Sequence, residues 1–232
     1  MNNIPISSDD IVYWRWNFIQ INATLVSTWL VMILLVIASR LITRRLSCEL
    51  RPLRWQTALE VLVNGIRDQI REVSRQEPGP YLPFVGTLFL FIATANLLSI
   101  LPGFRSPTGS LSTTAALATC VLVAVPLYGI ASQGLLGYLK QYIQPSLFML
   151  PFNLIGELSR TLALAVRLYG NMMSGTVIAV ILIGFVPLFV PVVMHLFGLL
   201  TGMIQAYIFA VLAMVYIASA TQARMKTGRD VE

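Results

Sequence analysis

Of 232 residues, 56% are hydrophobic and 11% charged, with a mean hydropathy of +0.76. Soluble domains run at about 25% charged residues, so this composition excludes an ordinary soluble enzyme and leaves an integral membrane protein. The formal net charge of +6 then belongs to cationic cytoplasmic loops rather than to nucleic-acid binding. Apolar runs of about 20 residues favour helices over the roughly ten-residue alternation of a membrane barrel.

Residues 1–17 read as a polar external tail bearing Asp9 and Asp10, and MNNIPISSDDIVYW has no basic region ahead of an apolar core. No secretory signal is therefore expected. A first span over 18–41, interrupted by Asn22 and Thr24, has Arg40 at its end and is followed by Arg44, Arg45, Arg51 and Arg54. This cluster places the following loop in the cytoplasm and the N-terminus outside.

Residues 55–75 differ in kind. Trp55, Leu59, Leu62, Val63, Ile66, Ile70 and Val73 recur at three- and four-residue steps, with Glu60, Arg67, Asp68, Arg71 and Glu72 between them. This is an amphipathic helix too charged to span. Two readings stand: it lies along the cytoplasmic membrane surface, or it packs as a solvated helix on its neighbours.

QEPGPYLP at 76–83 is a turn. A second span follows over 82–101, and a third over 111–139 returns to the inside, where Lys140 marks the exit. Ser110, Ser112, Thr113 and Thr114 at the head of the third span either bond across helices or line a wet cavity. Two long helices follow over 145–185 and 189–222, with a break near 184–191. Each is about 50 Å long at about 1.5 Å per residue, against a hydrocarbon core of about 30 Å. Strong tilt or kinking as a hairpin is expected. The tail 223–232 carries Arg224, Lys226 and Arg229, which puts it in the cytoplasm, in agreement with five crossings from an external N-terminus.

The expected fold is thus a single all-α integral membrane domain of about five crossing helices plus one amphipathic helix. No internal repeat supports an inverted-repeat transporter. Cys48 and Cys120 stand apart from other ligand-type residues, so neither a metal site nor a disulfide framework is expected. No cofactor motif is found, and no nucleotide-binding motif.

The chemistry concentrates in residues 153–176, NLIGELSRTLALAVRLYGNMMSGT. On a helix, Asn153, Glu157, Arg160, Arg167, Asn171 and Ser174 fall in one stripe about 100° wide. A charge at the bilayer centre costs about 2.5–3.5 kcal/mol on insertion scales, so such a stripe must face something other than lipid. A guanidinium keeps its proton, and Arg167 therefore supplies a fixed positive charge that repels cations and favours the ionised form of a nearby acid. Glu157 is about 15 Å from Arg167 along a helix and is better placed to pair with Arg160, one turn away. Arg167 is left to find its acidic partner on another chain or in solvent. On the last helix Thr201, Gln205, Tyr216 and Ser219 fall within about 60° of one another, and His195 sits about 80° from Gln205. Gln205 either serves the same group as Arg167 or makes an ordinary interhelical bond. His195 is either a proton relay or a packed histidine.

Residues 157–174, ELSRTLALAVRLYGNMMS, followed by QAYIFAVLAMVY at 205–216, resemble subunit a of the F-type ATP synthases over essentially the whole chain. The R-L-[FY]-G-N pattern with a downstream Q-A-[FY]-I-F run is specific to that family. The resemblance implies the ion-channel stator of the membrane sector, in a bacterial inner membrane, with a ring of c subunits, the b subunits of the peripheral stalk and the rest of the synthase as partners. Arg167 matches the family's indispensable arginine, Asn171 and Gln205 match positions flanking it, and Glu157 matches an acidic position near the cytoplasmic access. Many members carry Glu or His at the position of Thr176, a His or Glu where this chain has Gly198, and an acid at the position of Ser110. The external half of the path is then less ionisable here, resting on hydroxyls, water and His195. The basic first loop also resembles a bacterial subgroup often assigned to sodium, so protons and sodium both remain open. The alternatives are a secondary transporter with Arg167 binding an anionic substrate, and a structural anchor, which would need no mid-membrane arginine.

Overall fold

A computed structural model of the chain describes residues 12–16, 19–44, 54–101, 104, 106–143, 148–183 and 189–221. Asp9, Asp10, Arg45, Arg51, the junction 184–188 and the tail 222–232 with its three basic residues lie outside them. The described chain is all-helical apart from one short ribbon. That ribbon pairs β1 (Val12–Trp16) antiparallel with β2 (Ile19–Asn22), with a register irregularity between Val12 and Trp14. It occupies what the sequence reads as polar tail and the start of the first span. The alternation and aromatic content of VYWRW suit a strand, and the helix begins only beyond Asn22.

Helix α1 (Ala23–Thr43) is apolar on all sides, and Trp29, Ile33 and Val36 are each more than half exposed. In a bilayer this is the surface that meets lipid. Helix α2 (Arg54–Ser74) keeps Glu60, Arg67, Asp68, Arg71 and Glu72 outward. Its C-terminal half is packed: Ile70 is 2% exposed, and Ile66 and Val73 lie against the core. Val61 and Leu62 in its first half are exposed. The helix ends at Arg75, which takes a left-handed φ of 53°, the usual device for stopping a helix.

Helix α3 (Leu82–Leu98) starts with proline in its first turn, where the missing N–H costs nothing. A single 3-10 turn at Pro107–Gly109 leads into α4 (Leu111–Gln133). The sequence suggests one helix through 139. The structure breaks it at Gly134, whose φ of 77° is a conformation glycine reaches without strain, and α5 (Leu135–Ile143) follows as a separate helix. Two long helices close the chain, α6 (Met149–Ile183, 35 residues) and α7 (Phe189–Thr221, 33 residues). By length and composition α1, α4 and most of α7 (192–221) can cross a membrane, and α3 is a shorter apolar helix.

Helix α7 is the hub, packing against α2, α3, α4 and α6. Between helices in lipid the hydrophobic effect gives little, so close packing and hydrogen bonds decide association. Ala206, Ala210, Ala213, Ala218 and Ala220 are all buried on α7, which lets neighbouring backbones approach. Phe209 and Ile217, both at 0% exposure, fill the remaining space. The end of α7 is tied down by carboxamides. Gln133 Nε2 donates to the Ala220 carbonyl at 2.7 Å, and Gln76 Nε2 to Thr221 Oγ1 at 3.2 Å. Tyr81 donates its hydroxyl proton to Gln76 Oε1 at 2.8 Å. Interhelical bonds of this kind are worth about 0.6–1.7 kcal/mol in membranes. Gln133→Leu is therefore expected to lower the thermal unfolding midpoint in detergent, whereas Leu136→Ala, at a position 85% exposed, leaves it unchanged.

Candidate functional site

Helix α6 buries Thr161, Leu164, Ala165 and Leu168 against its neighbours. Counted around the helix, this seam overlaps one edge of the polar stripe, where Leu164 falls between Asn171 and Glu157. Arg160, Arg167 and Ser174 are exposed, while Glu157 and Asn171 are half-buried at the boundary. The stripe therefore runs along the open edge of a packed helix. On α7, Gln205 is 5% exposed, Thr201 and Tyr216 are half-buried, and Ser219 is exposed.

Two contacts fix how the helices are aligned. Asn171 Nδ2 donates to the Thr201 carbonyl at 3.3 Å, and the Arg160 guanidinium stands over the Tyr216 ring, 6.0 Å from its centroid. The two helices run antiparallel, so one turn back from Asn171 and one turn on from Thr201 reach the same level. Those positions are Arg167 and Gln205. The arginine and the glutamine, 38 residues apart in sequence, are thus brought to one height. Among the described residues Arg167 makes no hydrogen bond, ion pair or ring contact, and Gln205 Nε2 is buried without a hydrogen-bond partner.

Arg160 departs from expectation. Its pairing with Glu157 is anticipated from their spacing, but the contact it makes is with the Tyr216 ring. An arginine over an aromatic face gains from the ring's quadrupole and keeps its N–H groups available. Around this contact is a cavity of ≈ 410 Å³ lined by Asn153, Glu157, Arg160, Thr161, Tyr216 and Ser219, with Val121 and Val125 of α4 as an apolar wall. A space this polar and this large holds several waters. Cysteines at Asn153 and Ser219 are expected to react with a charged, water-borne thiol reagent, because only the hydrated thiolate reacts. A cysteine at Leu162, 63% exposed on the apolar surface of α6, is expected to stay unlabelled in membranes.

Toward the other end, hydroxyls turn back on their own helices. Ser174 Oγ donates to the Asn171 carbonyl, Thr176 Oγ1 to Met172, and Thr201 Oγ1 to Phe197, at 3.0–3.1 Å. His195 is exposed on the first turns of α7 and is not brought into the Gln205 cluster by any described bond.

A polar cluster of which the sequence pattern marks only Ser110 lies beside these residues. Asn96 on α3 is 1% exposed, and Ser106, Thr108 and Ser110 of the connecting turn are all buried. Thr108 donates to Asn96 Oδ1 at 3.0 Å, and Asn96 Nδ2 donates to the Gly202 carbonyl at 2.7 Å. The available signal was a single asparagine in an otherwise apolar span. Of the serine and threonine run, Ser110 and Thr114 are fully buried, and Ser110 and Ser112 share a hydrogen bond of 2.6 Å.

Comparison with known proteins agrees with this architecture. The profile described as ATP synthase A chain matches residues 25–218. A protein of Crocosphaera subtropica named ATP synthase subunit a 1 is 60% identical over 226 residues, 97% of this chain and 98% of its own length. One of the same name from Chlorobaculum parvum is 60% identical over 222 residues, covering 96% and 98%. ATP synthase subunit a of Albidiferax ferrireducens is 58% identical over 219 residues, covering 94% and 95%. With its helices apolar enough to span, and with a profile match over most of its length, this multi-pass membrane chain belongs to the ATP synthase A chain family.

Proposed function

We propose that the chain is the ion-translocating stator subunit of an F-type ATP synthase or ATPase, presenting Arg167 to the ionised carboxylates of a rotating c-subunit ring. The observation that carries this reading is an exposed arginine in the middle of α6 that has no acidic partner among the described residues. A fixed cation at membrane depth is costly, and a carboxylate from a neighbouring subunit would offset the cost. The same charge repels a cation trying to cross straight between two offset half-channels. Ions must then ride the ring, and the ring turns. The polar cavity around Glu157, Arg160 and Tyr216 supplies the inner half-channel, with the N-terminus outside and the C-terminus in the cytoplasm of a bacterial inner membrane. The b subunits hold this chain against the torque, and nucleotide chemistry belongs to other subunits.

Protons are the preferred ion. At the outer end Thr176 and Gly198 stand where many members of the family carry ionisable residues, so sodium is the second reading. Sodium protection of the ring carboxylate against a carbodiimide distinguishes them: protection supports sodium, and indifference to sodium leaves protons. The stator role itself is tested by Arg167 variants in the assembled enzyme. Loss of coupled ion pumping with assembly intact is the expected result, and normal pumping overturns it.

A further inference from the structure

We propose that Asn96 is a positioning residue: its carboxamide, bonded to the Gly202 carbonyl, sets the height of α7 and so keeps Gln205 level with Arg167. The inference deepens the stator reading and rests on it.

The need for such a device follows from the surfaces of α7. Its buried side sets five alanines among Phe209, Met214 and Ile217, and its outer side is apolar. Apolar helices sliding past one another in lipid change little in hydrophobic energy. A slip of one residue moves a helix by about 1.5 Å and turns its side chains by about 100°. That is enough to take Gln205 off the face it shares with α6. Directional bonds to a chosen carbonyl resist this: Gln133 holds the far end of α7 at the Ala220 carbonyl, and beside Gln205 the helix is gripped by two more such bonds at consecutive residues. Asn171 of α6 holds the Thr201 carbonyl and Asn96 of α3 holds the Gly202 carbonyl, at 3.3 and 2.7 Å.

The α3 grip is fixed on both sides. Thr108 donates to Asn96 Oδ1 at 3.0 Å, which turns the amide so that its NH₂ faces α7. With its own proton given to Asn96, Thr108 Oγ1 accepts from Ser106 Oγ at 2.7 Å. On the receiving side, a Cβ on Gly202 would stand 3.0 Å from both Cγ and Nδ2 of Asn96. A side chain there would require Asn96 to give way by a few tenths of an ångström. Gln205 is three residues further along α7, so its height follows directly from where Gly202 is held.

The test is a double-mutant cycle in the assembled synthase, reading ATP-driven ion pumping per assembled complex in vesicles. Asn96→Leu keeps the volume and removes the donor, and Gly202→Ala pushes the amide away. Each is expected to lower pumping about tenfold in an otherwise unchanged chain and less than about twofold on a Gln205→Leu background, because coupled sites are not additive. A loss of the same factor on both backgrounds overturns the proposal, since Asn96 would then act independently of Gln205. Wild-type pumping by either assembled single variant also overturns it. So does failure of both to assemble, the result expected of a plain folding role. Normal pumping by Gln205→Leu alone overturns the functional reading of Gln205 itself, which separates the two failures.

Discussion

Replacing Arg167 with Ala is expected to cut ATP-driven ion pumping about a thousandfold while raising passive ion leak through the assembled membrane sector. A carboxylate about 4 Å from a guanidinium, at an effective dielectric of about 20, interacts by about 4 kcal/mol, or about three orders of magnitude in rate. The two effects have one cause. The cation that draws the ring carboxylate into its charged form also repels ions that would pass without turning the ring. Arg167→Lys keeps the charge, so leak should stay low. Pumping should recover only in part, because an ammonium lacks the planar fork that meets a carboxylate on two bonds. Pumping and leak can be followed in the same vesicles with an ion-gradient probe, normalised to assembled complex. An Ala variant that pumps within tenfold of the parent, or that leaks no more than it does, would remove Arg167 from the mechanism.

How much of this was legible in the sequence depended on whether the signal was local. The all-helical membrane class follows from the apolar runs, and the amphipathic stretch from the three- and four-residue spacing of Ile66, Ile70 and Val73. The polar stripe of α6 was visible because helical periodicity puts Arg160, Arg167 and Asn171 on one side without any tertiary information. Three features were not visible. The N-terminal ribbon was hidden because VYWRW and IQIN are too short to outweigh the long apolar run that follows. The break at Gly134 was hidden because an isolated glycine in an apolar segment gives no sign of its φ. The partners of Arg160 and Asn96 were hidden because they come from α7, at sequence separations no periodicity reports: Asn96 and Gly202 are 106 residues apart. Spacing within α6 suggested Glu157 for Arg160, but Tyr216 arrives from another helix and takes that place. Local pattern shows which side chains are costly, and only the packing shows what they meet.

Gln205→Leu carries a prediction in which stability and function move in opposite directions. Gln205 is 5% exposed, and its Nε2 has no hydrogen-bond partner. Leaving a buried donor unpaired costs about 1–3 kcal/mol, and leucine is close in volume with nothing to satisfy. The variant is therefore expected to assemble at least as well as the parent, and to unfold in detergent at an equal or higher temperature. Ion pumping should fall about tenfold, the loss that follows when one hydrogen bond of about 1.4 kcal/mol is made in the rate-limiting step and not in the resting state. Gln205→Glu gives a further arm, since an ionised acid level with Arg167 would compete with the ring carboxylate for the guanidinium and inhibit more strongly than leucine. If Gln205→Leu instead unfolds more readily and pumps normally per assembled complex, the glutamine is ordinary interhelical packing. A residue that costs the fold about 1–3 kcal/mol, at the level of an unpartnered arginine, is explained if its amide turns out of this buried position to find a partner as the rotor moves.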